Sequence, residues 1–314
     1  MSFSSDVKNE ISRQMPKKKC CELAEITGFM RIAGSIKLSG KGRLGISMAT
    51  ENPAIARHIK TLFSKYYSIS IDLMVGEGSF NKNRNLYELV VKPENNGEQI
   101  LREAGILTVR EGANTIFEGI DDNIIKSKCC KKSYLRGLFL GGGTISDPNK
   151  GYHFEISTQS EILANDIKKL MNSFVDIHGK ISRRKESYVV YVKDSEQIKD
   201  ILNIIGAHSQ LLEYENVRII KEVKNKTNRI NNCEYANMDK TINAANKQIE
   251  AINKIKHTTG IDSLPDNLID TALIRLENPE ASLSELGELL DPPIKKAGVY
   301  HRLKKLEKIS NDIK

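Results

Sequence analysis

Two stretches decide the fold, "CCELAEITGFMRIAGSI" at residues 20–36 and "CCKKSYLRGLFLGGGTI" at residues 129–145. Laid over each other without a gap, Cys20, Cys21, Gly28, Gly34 and Ile36 meet Cys129, Cys130, Gly137, Gly143 and Ile145. Each is an apolar helical stretch that runs into glycine and then a turn. Glycine inside a helix costs about 0.5–1 kcal/mol against alanine, so it needs a reason. Close approach of two backbones is such a reason, and a repeated motif supplies the second backbone. Gly28, Gly34, Gly137 and Gly143 are therefore the candidate helix-packing residues, with the second glycine of each pair suited to a helix end of positive φ.

The repeat continues outward from these helices. "TENPAIARHIKTLF" (50–63) lies over "TQSEILANDIKKLM" (158–171), and "YELVVKPENNGEQILREAGI" (87–106) shares its outline with "YVVYVKDSEQIKDILNIIGA" (188–207). Between motif helix and amphipathic helix, "GSIKLSGKGRLGISMAT" and "GTISDPNKGYHFEISTQS" read as hairpins with Gly, Asp, Pro and Asn at the turns. Ile55, Ile59, Leu62 and Phe63 in one copy, and Leu163, Ile167 and Leu170 in the other, recur at helical spacing. Alternating "YELVV" and "YVVYV" read as strands, each followed by a short helix. Each half is thus αββαββα, and the fold class is α+β: a duplication with pseudo-twofold symmetry, followed by an all-α domain.

The glycine helices resemble the LAGLIDADG motif of homing endonucleases. In that family two such helices pack at the centre of an αββαββα duplication. Each ends in an acid just before the last glycine, and the paired acids hold metal ions for DNA cleavage. Here Ala33 and Gly142 stand at those positions, and Arg31 and Leu140 at the motif's earlier acid. Hard cations need carboxylate oxygens, which Ala and Gly lack. The expectation is a nuclease-like scaffold with no catalytic residue. Asp147, five residues past Gly142, reads as a turn residue in "SDPNKG".

Beyond residue 215 the duplication stops. Ile242, Ala245, Ile249, Ile252 and Ile255 predict a connecting helix over about 238–257. "LPDNLIDTALIRLENP", "ASLSELGELL" and "VYHRLKKLEKI" then read as three helices, with "DPPIKKAG" as the turn before the last. Ser282 and Glu285 form a capping box, and Gly287 suits a close approach. Three helices in this order fit a helix-turn-helix DNA-binding unit. Between Asp291 and Lys308 the acids are Asp291 and Glu307, against a crowd of bases. The candidate DNA-contacting residues are Ser282, Lys295, Lys296, Tyr300, His301, Arg302, Lys304, Lys305 and Lys308. Tyr300, His301 and Arg302, near the helix start, are placed to reach base edges, and the lysines to meet phosphates. The domain reading is 1–215 (repeats at about 15–112 and 124–212), a helical linker 216–262, and a helix-turn-helix domain 263–314.

Composition fits this reading. The 314 residues carry a formal net charge of +8, which permits an acidic partner such as nucleic acid. No apolar run approaches a membrane span, and "MSFSSDVKNEISRQMPKKK" has no apolar signal core, so a cytoplasmic protein is expected. Five cysteines, four of them in adjacent pairs, do not suggest a disulfide framework. No CxxC pair or Cys/His array has zinc spacing, so neither a metal site nor a cofactor is expected.

Together "MSFSSDVKNEIS", the two motif helices, "TNRINNCEYANMDKT" and "ASLSELGELLDPPIKKAGVYHRLKKLEKI" resemble the WhiA family over nearly the whole chain. That family comprises bacterial transcription regulators named for sporulation and tied to cell division. The resemblance implies a degenerate LAGLIDADG domain, a linker and a helix-turn-helix domain on promoter DNA. It also implies roles in cell division and chromosome segregation, a nucleoid-associated location and a possible protein partner in transcription or cell division. Ala297 and Tyr300 stand where Ser and Asn are expected in the family, which bears on base preference and not on the fold. The rival readings are a working endonuclease or RNA maturase, and an N-terminal protein-interaction module. Lys37, Lys41 and Arg43, with Lys180, Arg183, Arg184 and Lys185, decide between them: lining one saddle they hold a duplex, scattered they do not.

Overall fold

A computed structural model describes residues 2–77, 85–110 and 112–313. The chain divides into two compact units, one ending at Ile220 and one beginning at Lys221. The first opens with α1 (Phe3–Ile11), whose N-terminus is capped by the Ser2 hydroxyl accepting from Ser5 N. The first copy follows as α2 (Lys19–Ala33), β1 (Gly34–Leu38), β2 (Leu44–Thr50), α3 (Pro53–Tyr67), β3 (Asp72–Glu77), β4 (Asn85–Val91) and α4 (Gly97–Glu103). A hairpin of β5 (Leu107–Arg110) and β6 (Ala113–Ile116) links the copies. The second copy is α5 (Lys128–Gly142), β7 (Gly143–Ile145), β8 (Phe154–Thr158), α6 (Glu161–Asn172), β9 (Lys180–Arg184), β10 (Ser187–Val192) and α7 (Ser195–Ile205).

Among the described residues each copy forms an antiparallel four-stranded sheet with the same strand order, β1-β2-β4-β3 and β7-β8-β10-β9. Local chemistry sets the element ends. Asn52, Ser160 and Asp194 each accept a backbone N–H at the start of α3, α6 and α7, and Pro53 opens α3, where its missing N–H costs nothing. Gly206 ends α7 at φ +90°, a left-handed conformation that residues with a Cβ rarely adopt. One face of each sheet, with Ile46, Met48, Leu89 and Val91 or Phe154, Ile156, Val190 and Val192, is buried against helices.

α2 and α5 run through the middle of this core and are buried on most sides, as apolar helices must be. A Cβ on Gly28 would lie 2.3 Å from Tyr134 O and 3.0 Å from Leu138 N. A Cβ on Gly137 would lie 2.1 Å from Glu25 O and 2.9 Å from Phe29 N. The repeat makes these two sets of contacts equivalent, so the helices cross about a local twofold at glycine. Glu25, fully buried on α2, accepts a hydrogen bond from His58 Nε2 at 2.6 Å, and lies 3.6 Å from Arg136 on α5.

Gly34 and Gly143 correct the packing expectation. A Cβ there would meet its own helix, at Met30 O (2.3 Å) or Phe139 Cδ2 (2.2 Å), not the partner helix. Their φ values, −96° and −75°, are ordinary. Each helix turns directly into a strand at that point, and the tight reversal leaves no room for a side chain. Gly141 and Gly142 do face the other helix, packing on Ile32.

α8 (His208–Thr258) runs from the first unit into the second, longer at its start than the stripe at 238–257 predicts. Glu10 on α1 caps it, accepting Ser209 N (2.7 Å) and Gln210 N (3.0 Å). The second unit continues with α9 (Asp266–Glu277), α10 (Leu283–Leu289) and α11 (Lys296–Asp312). Ile252 and Ile255 at the end of α8 join Leu268, Ala272, Leu286, Val299, Leu303 and Leu306 in its core.

Candidate nucleic-acid interface

The C-terminal end of α2 borders an open cleft lined by Arg31, Ser35, Glu118, Ser157 and Thr158 among others. Ala33, one of the two positions where the resemblance would put an acid, stands between the lining residues Ile32 and Gly34. Among the described lining residues Glu118 is the one carboxylate, and it accepts a hydrogen bond from the Ser160 hydroxyl at 2.7 Å. Arg31 donates to Phe117 O and, at 2.8 Å, to Gly105 O, while its guanidinium lies 5.9 Å from the Phe117 ring. A residue at an acid position thus ties down the hairpin between the copies. Asp147 Oδ1 accepts Asn149 N at 2.8 Å, and Asp147 O accepts Lys150 N and Gly151 N, the bonds of a turn.

The basic residues of the two sheets are divided between faces and largely held in ion pairs. Lys37 is paired with Glu88 at 2.7 Å and Arg43 with Glu94 at 3.7 Å. Lys180 and Arg184 share the polar face of the second sheet, where Arg184 meets Glu155 at 3.1 Å. Arg183 points to the opposite face and lies over Tyr188. Lys185 sits in the hairpin turn at φ +51°. The Lys41 side chain lies outside the described residues. The carboxylates respond to these cations. The Lys37 and Ser47 hydrogen bonds hold Glu88 below the usual carboxylate range. Burial pushes Glu155 up, but the His153 hydrogen bond and the Arg184 charge outweigh it and leave the group low.

The second unit builds a different surface. Ser282 caps α10: its hydroxyl accepts Glu285 N, and Glu285 Oε2 accepts Ser282 N at 2.7 Å. Ile294 N donates to Gly287 O at 2.9 Å, and a Cβ on Gly287 would lie 2.2 Å from Ile294 O. Glycine therefore lets the turn fold back against α10. α11 starts at Lys296, so Lys296, Ala297 and Gly298 belong to the helix and not to the turn, with Lys295 at the N-cap.

Val299, Leu303 and Leu306 face the core. Lys296, Tyr300, Lys304 and Lys308, spaced by four, and His301 with Lys305, one residue on, form adjacent exposed rows. Lys304 is paired with Glu307 at 2.6 Å. Lys295, Lys296, Lys305 and Lys308 are exposed and have no ion pair among the described residues. The Tyr300 and His301 rings meet edge to face, 5.8 Å apart. Arg302 departs from the expectation. It is half-buried, and its Nη1 donates to Asn267 O at 3.2 Å and Thr271 Oγ1 at 3.4 Å, both on α9. It joins helices and is turned away from the exposed rows.

Two features escaped the sequence reading. Arg275 is buried, and its Nη1 donates to Ala281 O at 2.7 Å, holding the loop from α9 to α10. Its regular place on an apolar helix face was the available signal. The other is a set of thiols. Spacing along the chain argued against a metal site, yet Sγ of Cys20, Cys21, Cys129 and Cys130 all lie within 4.8 Å of one another. The spacing criterion sees ligands in one segment, and these come from both copies.

A duplicated endonuclease-type domain without its acids, joined to three helices that expose a basic face, defines a class of protein. Family models agree along the chain. The WhiA N-terminal LAGLIDADG-like domain matches residues 19–107, the WhiA LAGLIDADG-like domain 131–224, and the WhiA C-terminal HTH domain 227–310. The chain belongs to the WhiA family. It is 46% identical over 314 residues to a "probable cell division protein WhiA" of Clostridium beijerinckii, covering 100% of this chain and 99% of that one. The relative of the same name from Thermoanaerobacter sp. is also 46% identical, over 100% and 98%. Full-length DUF199/WhiA from Thermatoga maritima superimposes with a TM-score of 0.61 at 28% identity, covering 99% of this chain and 98% of that one.

Proposed function

We propose that the protein is a non-catalytic regulator that binds double-stranded promoter DNA through α11. The observation that carries this is the exposed face of that helix, where unpaired lysines flank Tyr300 and His301. Lysines meet phosphates and supply affinity; the aromatic and imidazole edges near the helix start meet bases and supply sequence preference. The relatives' name supports work in cell division, and we extend this to chromosome segregation and, where the organism sporulates, to sporulation. No described helix is long and apolar enough to cross a membrane, in keeping with work at the nucleoid in the cytoplasm.

The absence of cleavage follows from Ala33 and Gly142. Neither offers a metal ligand, and the one carboxylate lining the cleft is already hydrogen-bonded. Genome-wide DNA capture with the full chain and with a chain ending at residue 258 tests the reading. Focused sites vanish in the shorter chain, and plasmid incubated with Mg²⁺ or Mn²⁺ stays intact. Focused sites that survive truncation, or cutting lost in Glu118→Gln, overturn it.

A further inference from the structure

Cys20 and Cys21 stand at the start of α2, and Cys129 and Cys130 at the start of α5. The repeat makes the pairs equivalent, and the helices that carry them cross at Gly28 and Gly137. The local twofold therefore folds two "CC" pairs onto each other. Their four Sγ atoms lie within 4.8 Å of one another, and all four cysteines are free thiols. Around a tetrahedral zinc ion with Zn–S bonds of about 2.3 Å, neighbouring sulfurs stand roughly 3.8 Å apart. Small side-chain rotations cover the difference.

We propose that Cys20, Cys21, Cys129 and Cys130 form a structural zinc site that staples the N-terminal ends of α2 and α5. Zn²⁺ binds as four thiols lose their protons to solvent, giving a four-coordinate tetrathiolate with two net negative charges. The surroundings suit that charge. Both helix N-termini point their positive ends at it. Lys17, Lys18 and Lys19 precede one pair in the chain, and Lys128, Lys131 and Lys132 bracket the other. Ser127 caps α5 through Cys130 N, and its hydroxyl lies 3.1 Å from Cys129 Sγ, a ready outer-shell hydrogen bond. Burial is graded: Cys21 and Cys130 are buried, Cys129 is half-buried and Cys20 is exposed. The ion has a way in, and once bound it is mostly enclosed. With no position left for water, the site is a closed, structural one. Its place across the repeat gives it a task, since it ties together two copies whose contact at the glycines depends on close approach.

The test uses the full chain, purified under reducing, oxygen-free conditions. Elemental analysis is expected to find one zinc per chain. Metal-free protein titrated with Co²⁺ is expected to show the ligand-field and sulfur-to-cobalt bands of a tetrahedral tetrathiolate, saturating at one equivalent and bleached by Zn²⁺. Zinc is expected to raise the melting midpoint. Because the buried cysteines are poor places to cut, Cys20→Ser and Cys129→Ser carry the test, with circular dichroism to confirm the fold. Each is expected to weaken Co²⁺ binding at least about tenfold and to change its spectrum, while Cys233→Ser, at an exposed cysteine outside the cluster, changes neither. A reduced chain that gives no saturable cobalt spectrum overturns the proposal. So does binding indifferent to Cys20→Ser and Cys129→Ser. A chain isolated without reductant that is lighter by two hydrogens per bridge, and that takes up no metal after reduction, would make the cluster a disulfide pair instead.

Discussion

Lys8 shows what burial does to a single residue. It sits on α1 with its ammonium 5.5 Å from the centre of the Phe139 ring, and burial lowers it from 10.5 to about 8. The desolvated charge disfavours the folded state at neutral pH. Between about pH 8 and 10.5 the folded protein has shed a proton that the unfolded chain keeps, so this contribution to stability rises with pH. Lys8→Met is therefore expected to raise the melting midpoint at pH 7, with the gain shrinking toward pH 10. An equal gain at both pH values would show that the ammonium is well solvated in the fold. Nothing in the sequence marks Lys8, because the ring it covers belongs to α5, far along the chain. Arg31, Arg275 and Arg302 teach the same lesson: each donates to a backbone carbonyl of another element or loop.

Elements are where the sequence is most legible, since periodicity and caps are local. The motif helices, the amphipathic α3 and α6, and the capping box of α10 all follow from spacing. Contact at the glycines carries a sharp consequence. Gly137→Ala would gain helix propensity but place a Cβ 2.1 Å from Glu25 O, backbone that yields only if the helices part. A net loss of about 1–3 kcal/mol is expected, read as a lower melting midpoint; an unchanged midpoint would mean the helices are not so close. If α11 binds DNA as proposed, its exposed rows separate two kinds of contact. Lys305→Ala and Lys308→Ala are expected to weaken specific and random DNA alike, each flattening the salt slope by roughly one unit. Tyr300→Ala is expected to cost about 1–3 kcal/mol mainly on the specific site. Arg302→Ala, which cuts the link to α9, is expected to lower the melting midpoint before it alters base preference. Titrations at two salt concentrations with both DNAs distinguish these outcomes, and a Tyr300→Ala loss equal on both would remove it from base reading.

At the scale of the whole molecule the question is whether the sheets add a second DNA surface to the one proposed on α11. The sheets carry basic residues, but Lys37, Arg43 and Arg184 already hold carboxylates, and Arg183 faces away. Cations committed in this way release fewer counterions from DNA. The double change Lys37→Ala with Arg184→Ala is therefore expected to leave the full chain's affinity and salt slope unaltered. A slope flattened by about two units would put phosphates on the sheets.

The sequence by itself determined the duplication, the order of elements in each copy, the loss of acids at Ala33 and Gly142, and the helical unit after the repeat. These are patterns of residue type along the chain, and helices, strands and caps answer to neighbours a few positions away. Only the tertiary structure decided which residues meet across the repeat. It moved Gly34 and Gly143 from the helix contact to tight helix ends, turned Arg302 inward, and spread the basic residues of the sheets among ion pairs. It also gathered four cysteines, distant along the chain, at the mouths of two crossing helices. Spacing cannot reveal that gathering, because a twofold axis joins positions that the chain keeps far apart.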